Sequence, residues 1–280
     1  WLQLNPGQRQ EVFAFLQENH RPENRYYQYD FLRENCATKI PEVLEKVLNP
    51  ALAFGDEHLS EPHTFRELIQ EYLKLNSWSS LGIDLALGAL VDRQAHSDDY
   101  WFLPEYVLRQ LRNSQLGEDP LVRRERIILD KEPANPPSYF TATPLFWMLV
   151  LLFLTAAITW IDFRNGSRSR VMDFLLFFLT GSSGLVIAFL WFLTDHHDTV
   201  WNANILWAMP LNLVAAFFLV RPGGIPSWVR PYLLFLLAAI GLCLLIWASG
   251  MQHFSPLLPV IWLALLLRYL FLYRHLKLRT

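Results

Sequence analysis

The chain carries 280 residues, with 24 Lys+Arg against 26 Asp+Glu for a formal net charge of −2, and 52% of its side chains are hydrophobic. Two cysteines give no disulfide framework, and the absence of a Walker loop, a dinucleotide fingerprint or a basic patch argues against nucleotide or nucleic-acid functions. Charge divides the chain at Thr143: 15 basic and 22 acidic residues lie up to that point, then 9 and 4 in a nearly continuous run of Leu, Phe, Ala, Ile and Trp, so an acidic soluble part leads into a membrane part.

The sequence opens at Trp1, with no Met and no basic-then-apolar signal segment. A domain exported across a membrane needs such a segment, so the sequence is expected to be a fragment of a longer protein. Asn5-Pro6 is an N-cap and first-turn pair, and Val12, Phe13 and Leu16 predict a helix ending near His20-Arg21-Pro22. Asn24 to Phe31 reads as a strand with Tyr27, Tyr29 and Phe31 on one face. It runs through Glu34-Asn35 into Cys36, and a short helix follows to about Leu48. Pro41 would strain the interior of that helix, so the cysteine turn can instead stand apart, with Pro41 opening the next helix.

Thr64-Phe65-Arg66-Glu67 is a capping box that predicts a helix to about Leu75. Further helices are expected from about Trp78 to Gln94 and from Pro104 to about Asn113. A Pro-rich stretch of mixed charge then leads to the membrane. The expected division is a soluble domain over 1–120, a linker over 121–143 and a membrane domain over 144–280.

Cys36 is the one cysteine outside the apolar half, since Cys243 lies within a span. A strand that delivers a thiol to the first turn of a helix is the arrangement used in thiol acyl-transfer chemistry. Unpaired N–H groups at a helix start favour thiolate and can stabilise an oxyanion. An oxidising compartment makes an idle exposed thiol a liability, which favours a functional reading over chance. Asn35 can orient an imidazole or donate to an oxyanion, against a plainer role as turn or cap. Tyr29 and Asp30 can line a pocket or hold a base, against a packed strand.

Five apolar segments follow, approximately Pro144–Ile161, Phe174–Leu193, Trp201–Val220, Tyr232–Ala248 and Ser255–Tyr273. Each is long enough to span about 30 Å of hydrocarbon at about 1.5 Å per residue. Arg164, Arg168 and Arg170 follow the first, Arg221 and Arg230 the third, and Arg274, Lys277 and Arg279 the fifth, whereas the loops after the second and fourth carry no Lys or Arg. The positive-inside rule then places the soluble part outside and the C-terminus inside.

The outer loop from Thr194 holds Asp195, His196, His197 and Asp198, followed by Trp201, Asn202 and Asn204. Adjacent His196 and His197 cannot both face one ion from a regular helix, so no metal site is expected and contact with headgroup or substrate is favoured. Trp201 and Trp207 read as interfacial aromatics, and Asp173 and Arg268 as snorkelling or paired with each other. Trp78, Gly82, Asp84 and Asp92 read as helix packing and a buried polar contact. His20, His58, His63 and His96 read as exposed helix-end or loop residues, one of which can serve as a base.

Four motifs in order, N-R-Y-Y-Q-Y-D-F-L-R-E-N-C-A-T, T-F-R, W-S-S-L-G-I-D-L-A-L-G and F-L-P, resemble the Lnb N-terminal periplasmic domain, and the five spans resemble that family's membrane domain. The resemblance covers the chain from Trp1 to about His275. It implies an α+β fold: part of a permuted papain-like, NlpC-type periplasmic domain followed by a polytopic α-helical domain of five transmembrane helices. It also implies a bacterial inner-membrane lipoprotein N-acyltransferase with Cys36 as nucleophile and a catalytic His upstream, in a Gly-His segment that this sequence lacks. A chain of this extent alone is then expected to be inactive. The implied partners are a phospholipid acyl donor, a lipoprotein acceptor and the membrane, with no cofactor. The rival readings are a Cys-dependent cell-wall amidase, peptidase or lipase, and a membrane protein that binds partners without chemistry.

Overall fold

The structure is a computed structural model describing residues 1–56, 59, 61–129 and 139–277. In chain order its helices are α1 (Pro6–Asn19), α2 (Lys39–Leu48), α3 (Phe65–Gln70), α4 (Trp78–Ala86), α5 (Pro104–Arg112), α6 (Pro144–Asn165), α7 (Arg170–Phe192), α8 (Asn204–Trp207), α9 (Leu211–Val220), α10 (Val229–Ala248) and α11 (Leu258–Lys277). Three two-residue strands, β1 (Leu52–Ala53), β2 (Gln115–Leu116) and β3 (Asp119–Pro120), form one antiparallel sheet in that order. The chain divides into two compact units, Trp1–Leu68 with Arg93–Asn135, and Ile69–Asp92 with Pro136–Thr280. His58 and residues 130–138 of the expected linker lie outside the described residues.

In the first unit, α1 starts as its sequence dictates. Asn5 Oδ1 accepts from the Gln8 N–H, Gln8 Oε1 accepts from the Asn5 N–H, and Pro6 fills the first turn, where no donor is needed. α2 buries Pro41, Leu44 and Leu48, a stripe at helical spacing, and Leu44 and Leu48 pack with Leu121. The sheet pairs Leu52 with Leu116 and Leu116 with Asp119. Thr64 and Glu67 cap α3 reciprocally: the Thr64 N–H donates to Glu67 Oε2 and the Glu67 N–H to Thr64 Oγ1. α3 stops at Gln70, short of the expected Leu75.

Two expectations fail here. Asn24 to Phe31 is not a strand; it joins nothing but the single bridge of Asp30 with Glu34, and Tyr26, Tyr27, Tyr29 and Phe31 are exposed. Alternating aromatics favour an extended backbone, but a strand exists only where a neighbouring chain takes up its N–H and C=O groups. The helix expected over 78–94 ends at Ala86, and a short 3-10 turn over Ala89–Asp92 follows.

In the second unit, α6, α7, α10 and α11 are long and apolar enough to cross a bilayer. They carry apolar side chains outward, including Phe153, Phe163, Val171 and Leu245, as lipid-facing helices do. The apolar segment over 201–220 is instead two helices, α8 and α9, broken at Ala208–Pro210, and α9 covers 10 residues. Pro210 supplies no N–H, and the polypeptide bends there against α7. A Cβ added to Gly184 would lie 1.6 Å from Ala208 O, and one on Gly181 2.4 Å from Leu213 N. Those two glycines let α7 press against the backbone of the break.

Asp173 and Arg268 are paired, as expected. Arg268 Nε lies 2.6 Å from Asp173 Oδ1 and its Nη2 2.8 Å from Asp162 Oδ2, while Arg168 Nη1 lies 2.6 Å from Asp173 Oδ2. Trp207 is not an interfacial aromatic: it is buried, and its indole N–H donates to Asn204 Oδ1 at 2.9 Å.

Candidate active site around Cys36

Residues 30–38 form two consecutive turns. Asp30 Oδ1 accepts from the N–H groups of Leu32 and Arg33, both at 3.0 Å, which folds the backbone back so that the Glu34 N–H reaches Asp30 O at 2.9 Å. Leu32 is buried inside that turn.

Asn35 then starts the second turn, and its buried amide is fully committed. Oδ1 accepts from Ala37 N–H at 2.7 Å and Thr38 N–H at 3.1 Å. Nδ2 donates to Phe31 O at 2.9 Å and Phe102 O at 3.0 Å. The Thr38 hydroxyl accepts from the Asn35 N–H at 3.0 Å, and the Lys39 N–H donates to Asn35 O at 3.3 Å. This is the geometry of an N-cap, with Cys36 as the first residue of the helical turn that runs into α2.

The cap accounts for the chemistry on offer. Asn35 consumes the N–H groups of Ala37 and Thr38, whereas the Cys36 N–H and thiol have no hydrogen-bond partner among the described residues. Ala37 is buried against Trp101 and Val107, which anchors the turn from beneath, and the Cys36 side chain is exposed. A free donor beside a free thiol is what a tetrahedral intermediate formed at that sulfur requires.

Lys39 dominates the nearby electrostatics. It pairs with Glu34 and with Glu42, the latter at 2.9 Å, and its ammonium sits 4.9 Å from the Tyr27 ring centroid. Burial pulls its pKa down, but the hydrogen bonds it donates to the two carboxylates, together with their charge, outweigh that and hold it above the ordinary lysine value. Tyr29 is 61% exposed, in a run of exposed aromatics that ends at Phe31, whose ring lies 6.1 Å from that of Phe102. Thr38 and Phe102 fall within the N-C-A-T and F-L-P motifs, though the sequence assigns neither a role of its own. Thr38 takes the place that Glu or Gln holds in an ordinary capping box, accepting from the N–H of the cap residue.

The remaining expected site residues lie in the second unit. His196, His197 and Trp201 are exposed, and Trp201 holds a left-handed backbone with φ 54°. Asn202 and Asn204 are fully buried. Asn202 Nδ2 donates to Leu85 O at 2.8 Å and Ala86 O at 3.0 Å, and Asn204 Nδ2 donates to Asp84 O at 3.1 Å. Those carbonyls belong to the last turn of α4, which has no intrahelical donors left for them. Backbone bonds from Gly88 N–H to Asp198 O and from Ala89 N–H to Trp201 O continue the seam. Asp92 meets His253 at 3.2 Å. Among the described residues, no group of three His, Cys, Asp or Glu side chains could hold a metal ion.

An exposed thiol on a capped turn, on one chain with helices able to span a bilayer, defines a membrane protein with a candidate site in its first unit. Family models agree on the membrane character and narrow the family: the Lnb N-terminal periplasmic domain matches residues 1–71, and the Lnb transmembrane domain matches residues 136–279, just over half of the chain. The chain belongs to the Lnb family, as a lipoprotein N-acyltransferase-like membrane protein with a periplasmic N-terminal domain. Neither a curated protein nor a solved structure matches it.

Proposed function

We propose that this protein moves an acyl chain from a phospholipid, through a thioester on Cys36, to the N-terminal amine of a diacylglyceryl-cysteine lipoprotein. The observation that carries the reading is the exposed Cys36 thiol at the head of a capped turn, within the region that the periplasmic model matches. Membrane helices on the same chain favour substrates that are themselves anchored in lipid, because tethering replaces a three-dimensional search with a two-dimensional one.

In the first half-reaction Cys36 Sγ gives its proton to a base and attacks the ester carbonyl carbon. The S–C bond forms, the C–O bond to glycerol breaks, and the lysophospholipid leaves with the proton. In the second, the lipoprotein α-amine attacks the thioester, the N–C bond forms, the C–S bond breaks, and the thiol is restored. The Cys36 N–H serves the oxyanion in both halves. The base is the imidazole that the family resemblance assigns to a Gly-His segment, a pair that this sequence does not contain.

Asn35 acts as a positioning residue, through the turn it closes. Tyr29 and its aromatic neighbours offer the acyl chain an apolar surface. His196, His197 and Trp201 meet lipid headgroup or acceptor, on a loop that Asn202 and Asn204 hold in place.

The periplasmic part takes a permuted papain-like fold in this reading, and the chain crosses the inner membrane five times, with α8 and α9 together as the third crossing and the C-terminus in the cytoplasm. Arg168 and Arg170, Pro222 and Arg230, and His275 and Leu276 line one common cavity, which supports placing all three Arg-bearing segments at the same end.

The test is mass spectrometry of a lipoprotein from cells carrying the full-length protein or its Cys36→Ala variant. The acyl chain on the N-terminal cysteine is expected to vanish in the variant, with the fold unchanged because the thiol is exposed and has no hydrogen-bond partner among the described residues. Persistence of that chain would refute the nucleophile. Release of free fatty acid without N-acylation would identify a thiol hydrolase instead.

A further inference from the structure

We propose that the arginine-bearing end of the membrane unit binds the phosphate headgroup of an anionic phospholipid. A cavity of about 780 Å³ lies there, walled by the segment before α7, the α9–α10 loop and the end of α11. Its cationic lining is Arg168, Arg170 and Arg230, with His275 beside them and no Asp or Glu.

The charges in that cavity are unevenly answered. Arg168 is compensated by Asp173 and donates to Leu219 O at 2.8 Å. Arg170 and Arg230 have no carboxylate partner among the described residues. The Arg230 guanidinium lies 5.0 Å from the Tyr273 ring centroid, and its Nε is buried without a hydrogen-bond partner. A buried charged donor left open is costly, and an anion with several acceptor oxygens removes the cost. The N–H groups of Gly223 and Gly224 on the cavity wall also have no partner among the described residues.

Free phosphate would satisfy the same donors. What favours a lipid is the neighbouring groove of about 440 Å³ between α6 and α11, which shares His275 with the cavity. Its walls include Trp160, Phe163, Leu267 and Phe271, and Trp160 and Phe163 are outward-facing. A headgroup in the cavity thus has an apolar channel beside it for a tail. Arginines that merely orient the chain in a membrane need no cavity. This inference rests on the membrane reading and not on the chemistry of Cys36.

The experiment is native mass spectrometry of the full chain in detergent, with phosphatidylglycerol or phosphatidylcholine added. One phosphatidylglycerol is expected to stay bound in preference to phosphatidylcholine. The Arg170→Gln/Arg230→Gln variant is expected to weaken it about tenfold, and Arg164→Gln/Arg221→Gln, which removes the same charge from exposed positions, is expected to leave it bound. Should the first variant fail to fold, Arg170→Gln alone, at an exposed helix start, is expected to weaken retention about threefold. Equal retention of the two lipids, or equal loss in both charge-matched variants, would overturn the site. Displacement of the lipid by millimolar inorganic phosphate would overturn the lipid assignment in favour of a free anion.

Discussion

Asn35 shows how much one side chain can determine. Its amide makes four hydrogen bonds to backbone, two inside its own turn, one back to Phe31 and one across to Phe102. Truncation to Ala leaves one buried and one part-buried carbonyl and two buried N–H groups to find new partners. At about 1 kcal/mol for each net bond, Asn35→Ala is expected to cost about 3–4 kcal/mol of unfolding free energy. Denaturant titration of the protein in detergent checks this, and a cost below about 1 kcal/mol would mean that the turn is held by something else. If Asn35 acts through position alone, Asn35→Ser should recover part of both stability and acyl transfer, because serine also caps helix starts.

At the scale of elements, the sequence reading succeeded wherever a local rule was sufficient. Asn5-Pro6, the Thr64/Glu67 box and Pro104 each begin a helix where expected, because capping is decided within four residues. It failed where the deciding partner is distant. The aromatic run over 24–31 has strand residues and no strand to join, and no local signal reveals that. Asn202 and Asn204 looked like exposed polar contacts because nothing in the sequence links them to the carbonyls of α4, more than 100 residues earlier. The break at Pro210 does have a local signal, since a proline inside an apolar segment is the commonest cause of a kink. Cys36 itself was legible as a thiol at a helix start, though not the manner in which Asn35 closes the turn.

The same break supports a prediction. Gly184 has no room for a Cβ, since the obstructing atom is backbone and not a flexible side chain tip. Gly184→Val is expected to push α7 away from the α8–α9 junction and to lower the melting temperature in detergent, whereas Gly241→Val, at a glycine with open space around it, is expected to change it little. Equal tolerance of both would mean that α7 and the junction are not so closely packed.

At the scale of the whole chain, the membrane unit is tied by a neutral ionic knot of Asp162, Asp173, Arg168 and Arg268, all almost without solvent exposure. Arg268 on α11 reaches Thr159 and Asp162 on α6 and Asp173 on α7, while Arg168 bonds a carbonyl of α9. Removing one member is worse than removing a matched pair, because an uncompensated charge is left in a low-dielectric interior. Arg268→Leu is therefore expected to destabilise by about 3–5 kcal/mol, and Asp173→Asn combined with Arg268→Met to recover a substantial share. A single variant as stable as its parent would show that water already reaches the knot.

Residues 69–92 interrupt the first unit in sequence yet fold with the second, so the polypeptide passes between the two three times. A single cut, by protease or by gene truncation, therefore frees the thiol-bearing part only together with residues 69–92, which fold with the other unit. A chain ended at Thr143 would retain α4 while losing Asn202 and Asn204, leaving the carbonyls of Asp84, Leu85 and Ala86 without their donors. An evolutionary exchange of one half for an unrelated module would meet the same obstacle, which predisposes the pair to be inherited as a single piece.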